Sequence, residues 1–344
     1  MNRKYYPAVD IMRLVCAILV IINHTNPLRP QFPLPNFILI NVFGRISVPF
    51  FFISAGYLLA QSLKDRGNDY FKKYIFSLIR LYAIWFVIYL PFGLMRIHEI
   101  IPGTITPLLG VGIFIEAIFL HGSYFHLWYL AALIVGLVIL YFFQKRFAIK
   151  YLLIIGVILF IFGLSETYID LYQMIPVINK ASEFYFKWFY TTRNGIFFAL
   201  IFLALGFDLH QEQSRFHIKN PGIWSIVSFI ALLIEALLLR YNSVPLNYNL
   251  LIMQIPFTIC FFEFLKSDRF SHLKVSRKFR EYNTWFYLTH AMFLELIPLG
   301  LSYINQELLW EEGWFRFISV MIFTFILSYI IINVKEKRRK PQVH

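Results

Sequence analysis

Apolar runs of membrane-spanning length recur along this chain, and they constrain its fold more than any other feature. They occupy ten intervals separated by short polar connections: 8–26, 37–62, 74–95, 125–143, 150–165, 193–209, 222–240, 249–265, 283–303 and 314–334. A membrane-spanning helix needs roughly 20 mostly apolar residues, and lipid offers backbone polar groups no hydrogen-bond partners outside the helix itself. The sequence therefore predicts an all-α integral membrane protein, a bundle of about ten transmembrane helices.

The residue composition agrees with this fold class. Hydrophobic residues make up 59% of the 344 residues and charged residues only 15%, which is too apolar for a soluble domain. A net charge of +13 would suit a nucleic-acid partner if it lay on one face, but the basic residues fall between the apolar runs. Cys16 and Cys260 lie inside apolar runs without metal-ligand spacing, so we expect packing cysteines, no metal site and no nucleic-acid partner.

The basic residues divide unevenly between alternate loops. One set of loops, which includes both chain ends, holds 22 lysines and arginines, whereas the opposite set holds six: Arg29, Arg96, Lys180, Lys187, Arg193 and Arg240. Loops rich in lysine and arginine stay on the cytoplasmic side of a membrane. We therefore predict cytoplasmic N- and C-termini, with a single membrane domain over residues 1–334 and a basic cytoplasmic tail over residues 335–344.

Two further segments do not fit the pattern of simple crossings. Residues 108–120 form a short apolar stretch with glycines, and counting it as a crossing would invert every later loop, so we predict a re-entrant or interfacial segment. Residues 166–192 form the longest polar connection. This connection is predicted to lie outside, where it could form a lid.

Ionisable and amide side chains within the apolar runs are the candidate functional groups. Such groups are costly in lipid and usually face the bundle interior or a water-filled cavity. The candidates are Asp10, Arg13, His24, Arg45, Arg80, His126, Arg193, Asn194, Glu235, His290 and Glu295.

Arg13 and His24 are eleven residues apart, close to three helical turns, so they share one helix face about 16 Å apart along the axis. A guanidinium suits a phosphate-bearing donor, and an imidazole exchanges protons near neutral pH. The alternative is structural: Arg13 pairs with Asp10 three residues earlier, and His24 is an interfacial histidine.

The remaining candidates also carry two interpretations each. Residues 124–130, which include His126 and Trp128, form either an aromatic belt or a substrate-binding segment. Glu235 lies in an apolar run and needs a partner or a proton. His290 is either that partner or the last residue of a row of polar side chains within the bundle. Arg45 and Arg80 are interpreted as structural or headgroup-facing. The sequence contains no glycine-rich phosphate loop, His-Glu-x-x-His or Gly-x-Ser-x-Gly pattern, which disfavours nucleotide hydrolysis, zinc proteolysis and serine hydrolase chemistry.

Five segments, taken together and in order, resemble the family-3 membrane acyltransferases. They are residues 10–24 with an arginine and a histidine separated by ten residues, 48–58 (VPFFFISAGYL), 125–133, 193–206 beginning RNGIFF, and 287–290. Residues 125–128 and 192–198 are most similar to the membrane domain of vancomycin-resistance serine racemases, without a counterpart of the racemase domain. The resemblance covers nearly the whole chain.

This resemblance implies O-acylation of sugars or cell-wall polymers, with the acyl group delivered from a cytoplasmic coenzyme A thioester. It further implies that His24 is the catalytic residue and Arg13 its companion on the donor side. Acyl-CoA, with acetyl-CoA as the expected form, would be the donor, and a carbohydrate or other cell-envelope hydroxyl the acceptor.

Together, the residues and the resemblance predict a membrane-bound O-acyltransferase of a bacterial plasma membrane. The predicted catalytic residues are His24, Glu235 and His290. The predicted substrate-binding residues are Asp10, Arg13, His126, Trp128, Arg193 and Asn194. Two alternatives stay open: a transporter of a small amino acid such as serine, in which the same charges bind carboxylate and ammonium groups, and a non-catalytic membrane scaffold.

Overall fold

The computed structural model describes residues 5–100, 107–216, 218–242, 245 and 247–339, with the backbone alone for residues 97–100, 107–109 and 339. All regular secondary structure in these residues is helical, which confirms the predicted all-α class. The described residues form two compact units. Residues 5–47 and 265–339 make the terminal unit, and residues 48–264 make the central unit.

The chain forms fifteen α-helices in the described residues. In order they are α1 (Pro7–Thr25), α2 (Pro33–Ile38), α3 (Arg45–Arg66), α4 (Asp69–Ile100), α5 (Pro107–Glu116), α6 (Trp128–Gln144), α7 (Ile149–Gly163), α8 (Ile169–Gln173), α9 (Pro176–Phe186), α10 (Leu200–His210), α11 (Pro221–Asn242), α12 (Gln254–Leu265), α13 (Arg277–Tyr303), α14 (Leu308–Glu311) and α15 (Gly313–Arg339). π-helical turns occupy Leu39–Gly44, Ala117–His121 and Gly195–Ala199, and 3₁₀ turns occupy Leu164–Glu166 and Asp268–Phe270.

Helices lie at all ten predicted spans, and six of them are long and apolar enough to cross a membrane. These six are Pro7–Thr25, Pro33–Arg66, Asp69–Arg96, Ile149–Glu166, Pro221–Asn242 and Gly313–Arg338. Four other apolar helices, including Trp128–Gln144, are shorter, and α13 is long but more polar. The chain is therefore a multi-pass membrane protein, while the count of ten crossings stays a prediction.

Local sequence fixes several helix ends. Pro7 begins α1, where its missing N–H costs no hydrogen bond. Asn26 ends α1 in the left-handed conformation with φ of 51°, and its N–H donates to the carbonyl of Ile22. Ser276 caps α13 by accepting a hydrogen bond from the backbone N–H of Phe279 at 3.1 Å. These caps satisfy backbone groups that the helices leave unpaired.

Helices α3 and α10 approach each other through glycine. A Cβ added at Gly56 would lie 2.0 Å from the carbonyl oxygen of Leu203, and one added at Gly206 would lie 1.9 Å from the carbonyl oxygen of Ile53. Membrane helices use small residues in this way to bring backbones together. The two glycines thus allow the backbones of α3 and α10 to pack closely in the central unit.

The two segments that were not predicted as membrane crossings, 108–120 and 166–192, also contain helices. Residues 108–120 fall within α5 and the π-helical turn after it, and whether they cross the membrane stays a prediction. The connection 166–192 contains α8 and α9, and its proposed action as a lid stays a prediction.

The predicted basic tail begins within a helix. α15 continues to Arg339, so residues 335–339 extend it, while residues 340–344 lie outside the described part of the chain. Lys335 lies 3.2 Å from a carboxylate oxygen of Glu281 on α13 and packs over the ring of Trp285.

Adding one methyl group at Gly206 should destabilise the central unit. The Cβ of Gly206→Ala would collide with the backbone of α3, so we expect a loss of about 1–3 kcal/mol and a lower melting temperature in detergent. Gly112→Ala is the matched control, because nothing lies within 4 Å of its added Cβ. Equal melting temperatures for the two variants would contradict this packing.

Candidate functional site

The first turns of α1 carry a cluster of charges in the terminal unit. Arg13 Nη1 lies 3.6 Å from Asp10 Oδ1, and Arg280 Nε, from α13, lies 3.9 Å from Asp10 Oδ2. The guanidinium of Arg280 also packs over the Tyr5 ring at 5.3 Å. The local pair between Asp10 and Arg13 is thus present, but one carboxylate serves two guanidiniums. The cluster keeps one net positive charge.

Arg13 retains hydrogen-bonding capacity within this cluster. Its Nε is buried and makes no hydrogen bond with any described residue. Because a guanidinium presents five donors in a rigid fork, the contact with Asp10 leaves donors available for an anionic group.

At the other end of α1, two histidines stack. The rings of His24 and His290 have centroids 5.5 Å apart and planes inclined by 20°. His24 lies in the last turn of α1 and is half-buried, whereas His290 lies within α13 and is fully buried. Packing of α1 against α13 therefore brings together two residues that the sequence separates by more than 260 positions.

The backbone of α13 fixes the tautomer of His290. Its Nδ1 lies 3.0 Å from the carbonyl oxygen of Phe286 and 2.8 Å from that of Tyr287. Since both neighbours are acceptors, Nδ1 carries the proton, and Nε2 is the acceptor nitrogen of the neutral ring. His290 is thereby locked in orientation against His24.

In the central unit, Arg193 and Trp128 form a second contact among predicted residues. The Arg193 guanidinium lies 4.6 Å from the centroid of the Trp128 ring, a cation–π geometry. Its Nη1 lies 3.4 Å from Oδ1 of Asn249, a residue that the sequence did not single out. Trp128 is buried at the start of α6, and Arg193 is half-buried before the π-helical turn Gly195–Ala199.

The side chain of Asn194 is committed to the loop that carries Arg193. Its Oδ1 accepts hydrogen bonds from the N–H groups of Ile196 at 2.9 Å and Phe197 at 3.1 Å, which caps the π-helical turn. Its Nδ2 donates to the hydroxyl oxygen of Tyr185 at 3.2 Å. These three contacts make Asn194 a residue that holds the loop in shape.

Tyr185 connects α9 to the same loop. Burial raises the pKa of Tyr185, so its phenol keeps the proton, and the hydroxyl donates to the carbonyl of Thr191 at 2.9 Å. The predicted lid region and the Arg193 loop are therefore joined within the central unit.

His126 lies in an aromatic cluster. Its ring is 4.4 Å from Tyr89, 5.8 Å from Phe125 and 5.9 Å from Tyr124 between centroids, and the residue is buried. These contacts favour the packing interpretation for His126, and its role in substrate binding stays a prediction.

Glu235 on α11 binds the segment that begins α12. It accepts hydrogen bonds from the Tyr168 hydroxyl, from the N–H of Ile252 at 2.6 Å and from the N–H of Met253 at 2.9 Å. Those N–H groups precede the first turn of α12, where a carboxylate is favoured by the helix dipole. Glu235, which was expected to need a partner, therefore has three hydrogen-bond donors and caps the N-terminus of α12 from another helix. The sequence analysis had suggested His290 as that partner.

A buried carboxylate that the sequence analysis missed is Glu166, in the 3₁₀ turn after α7. One oxygen accepts from the backbone N–H of Thr192, and the other accepts from Nδ2 of Asn247 at 2.6 Å. The Thr192 hydroxyl donates to the carbonyl of Gly163 at 2.8 Å. Glu166 holds the loops that carry Arg193 and Asn249, and no local pattern distinguishes it from an exposed acidic residue after a span.

The predicted site residues divide between the two units. Asp10, Arg13, His24 and His290 lie in the terminal unit, and His126, Trp128, Arg193, Asn194 and Glu235 lie in the central unit. Two further candidates have local surroundings of their own: Arg45 Nη2 lies 3.3 Å from Asn41 Oδ1, and Arg80 is exposed on α4. That the site residues of the terminal unit and those of the central unit line one cavity stays a prediction. Among the described residues, no three histidine, cysteine or acidic side chains are grouped to hold a metal ion.

These features define a multi-pass membrane protein with stacked histidines and a cationic cluster at opposite ends of one helix. Comparison with known families identifies the chain as a member of the acyltransferase-3 family, whose profile, described as an acyltransferase domain, matches residues 6–333. The resemblance inferred from the five sequence segments is thus confirmed, and the family is one of acyltransferases.

Three curated relatives are similar over nearly all of this chain. An amino-acid racemase from Enterococcus faecalis is 26% identical over 339 residues, covering 96% of this chain and 46% of the relative. A second from that species is 25% identical, covering 98% and 47%, and a serine/alanine racemase from Enterococcus gallinarum is 25% identical, covering 96% and 46%. The chain thus spans about half the length of the relatives it matches. No solved structure gives a significant match.

Replacing Glu166 by alanine should loosen the loop around Arg193. Glu166→Ala leaves the Thr192 N–H and the Asn247 amide without their acceptor, at a cost of about 1–3 kcal/mol for each buried group. We expect a lower melting temperature and faster hydrogen exchange over residues 191–199. Glu183→Ala is the control, because the Glu183 side chain is exposed and bonds to the nearby Asn179 on the same helix. Unchanged exchange in Glu166→Ala would show that the loop does not depend on this carboxylate.

Proposed function

We propose that this chain is a membrane-bound O-acyltransferase of a bacterial plasma membrane. It would move an acyl group, with acetyl as the expected case, from cytoplasmic acyl-CoA to a hydroxyl of an extracytoplasmic or cell-envelope glycan. The observation that carries this proposal is that His24, which stacks on His290 of α13, lies on the same helix as Arg13. Membership of the acyltransferase-3 family supports the reaction class.

The donor would bind through its phosphates at the Asp10, Arg13 and Arg280 cluster. Two guanidiniums around one carboxylate leave a net positive charge, and a guanidinium matches the geometry of phosphate. The 16 Å rise from Arg13 to His24 is then the distance that the thioester, at the end of its flexible arm, must cover to reach the imidazole.

His24 would act as the general base. It accepts the proton of the acceptor hydroxyl while the hydroxyl oxygen attacks the thioester carbonyl carbon. When the tetrahedral intermediate collapses, the carbon–sulfur bond breaks, and the imidazolium returns the proton to the departing thiolate. The products are the O-acyl ester and free coenzyme A.

His290 would serve as a positioning residue for His24. It is fully buried, with Nδ1 bonded to the α13 backbone, so its ring presents a fixed surface for the His24 ring. In the central unit, the guanidinium of Arg193, which packs over the ring of Trp128, would donate hydrogen bonds to sugar hydroxyls. Glu235 and Asn194 would contribute by holding the surrounding loops.

A second candidate function is the movement of a small amino acid across the membrane. Its specific support is the naming of the relatives as amino-acid and serine/alanine racemases, together with the match to about half of their length. A carrier would use the same charged residues for a carboxylate and an ammonium group, and it would need no acyl donor.

The proposed orientation places both termini in the cytoplasm. An impermeant thiol reagent should label Lys180→Cys only from the extracytoplasmic side and Ser271→Cys only from the cytoplasmic side, because these exposed positions lie in segments of opposite predicted location. The parent chain is the control, since Cys16 and Cys260 are buried. Labelling of both positions from one side would overturn the topology.

Loss of the His24 imidazole should abolish most acyl transfer. In membrane vesicles given labelled acetyl-CoA, His24→Ala should transfer label roughly 10²- to 10⁴-fold more slowly, which is the usual worth of general acid–base assistance. Calorimetric donor binding should persist. The control is His272→Ala, an exposed histidine in the loop before α13.

Arg13→Ala should instead weaken donor binding, which His24→Ala leaves intact. Transfer at the parental rate in His24→Ala would exclude the proposed base. Absence of donor binding by the parent chain, together with saturable serine uptake into proteoliposomes, would favour the carrier instead.

A further inference from the structure

The first turns of α4 carry a group of cations on one helix face. Lys72, Lys73 and Arg80, together with Phe76 and Ser77, line a groove of about 400 Å³. Their spacing at positions i, i+1, i+4, i+5 and i+8 keeps all five on one side of the helix. All five side chains are exposed.

The opposite face of α4 packs against the rest of the central unit. Phe71 stacks on Tyr141 of α6 with ring centroids 3.7 Å apart, and Ile75, Tyr82 and Tyr89 are also buried. At about 100° per residue, these buried residues lie roughly opposite the cations. The cationic groove is therefore on the side of α4 that faces away from the rest of the central unit.

The same outward side becomes apolar further along the helix. Ile84, Val87 and Met95 share the angular sector of the cations, and their side chains are 51%, 66% and 62% exposed. Exposed apolar residues on a membrane-spanning helix face lipid. The cations thus continue a lipid-facing stripe at one end of the span.

The length of α4 puts the cations at the level of the lipid headgroups. Its 32 residues extend about 48 Å, against a hydrocarbon core of roughly 30 Å, so about 18 Å must project beyond the core. The two ends of the helix share that projection, so Lys72 and Lys73 lie beyond the core at the N-terminal end. Arg80 is about 12 Å further along the axis than Lys72, and its long side chain extends toward the same end. Among the described residues, no carboxylate forms an ion pair with any of the three cations.

We infer that this groove binds the phosphate of an anionic phospholipid. Lys72, Lys73 and Arg80 supply charge and donors for the phosphate, while Phe76, 65% exposed between them, contacts the start of the acyl chains. The acyl donor also bears phosphates, but the groove opens toward lipid on the outward side of α4. The lipid site is therefore distinct from the proposed acyl transfer.

Native mass spectrometry of the detergent-solubilised full chain with added phosphatidylglycerol tests this inference. We expect the triple variant Lys72→Gln, Lys73→Gln, Arg80→Gln to retain about one tenth or less of the phosphatidylglycerol that the parent chain retains. The variant lacks three cations that would lie near the headgroup phosphate. Retention of phosphatidylcholine should change little.

The control is the triple variant Lys145→Gln, Arg146→Gln, Lys150→Gln, which removes the same charge at the ends of α6 and α7. It should retain phosphatidylglycerol like the parent. Equal losses in both triple variants would indicate non-specific attraction, and parental retention in the α4 variant would exclude the site. Loss of acetyl-CoA binding with phosphatidylglycerol retained would assign the groove to the donor. Should the α4 variant fail to fold, the single change Arg80→Gln, measured in the same way, must still lower retention.

Discussion

The cost of leaving a polar group unsatisfied in lipid is the constraint on which this structure depends. Every backbone N–H and C=O within a span must pair inside a helix, and each ionisable side chain at that depth needs a partner. Asp10 has two arginines, Glu235 has three donors and Glu166 has two. These three carboxylates thus hold helices and loops together, and the question of function concerns the polar side chains that do not hold a loop in place.

By that criterion the two ends of α1 differ from the carboxylates of the central unit. Glu235 and Glu166 use both oxygens to hold loops. Arg13 shares its carboxylate with Arg280, and His24 stacks on a histidine whose Nδ1 faces backbone carbonyls. Arg13, which keeps donors for an anionic group, and the half-buried imidazole of His24 therefore lie on one helix, and this placement supports the proposed chemistry.

The sequence predicted the helix positions and part of the site, because both depend on local patterns. Apolar runs located the spans, and helical periodicity placed Arg13 and His24 on one face and Asp10 beside Arg13. The hydrogen bonds of Glu166 to Thr192 and Asn247, and of Glu235 to Tyr168, join segments far apart in the chain. Periodicity carries no information about such pairings, and neither Asn249 nor Glu166 belongs to a local motif. The number of crossings depends on short helices for which apolar length alone is not decisive.

The glycine contact between α3 and α10 has a mechanical consequence. With Gly56 against the Leu203 carbonyl and Gly206 against the Ile53 carbonyl, each backbone lies in a notch of the other. A shift of either helix along its axis would drive larger neighbouring side chains into those notches. The contacting segments of α3 and α10 should therefore move as one rigid body. A conformational change that admits substrate would then take place in the loops that flank these two segments.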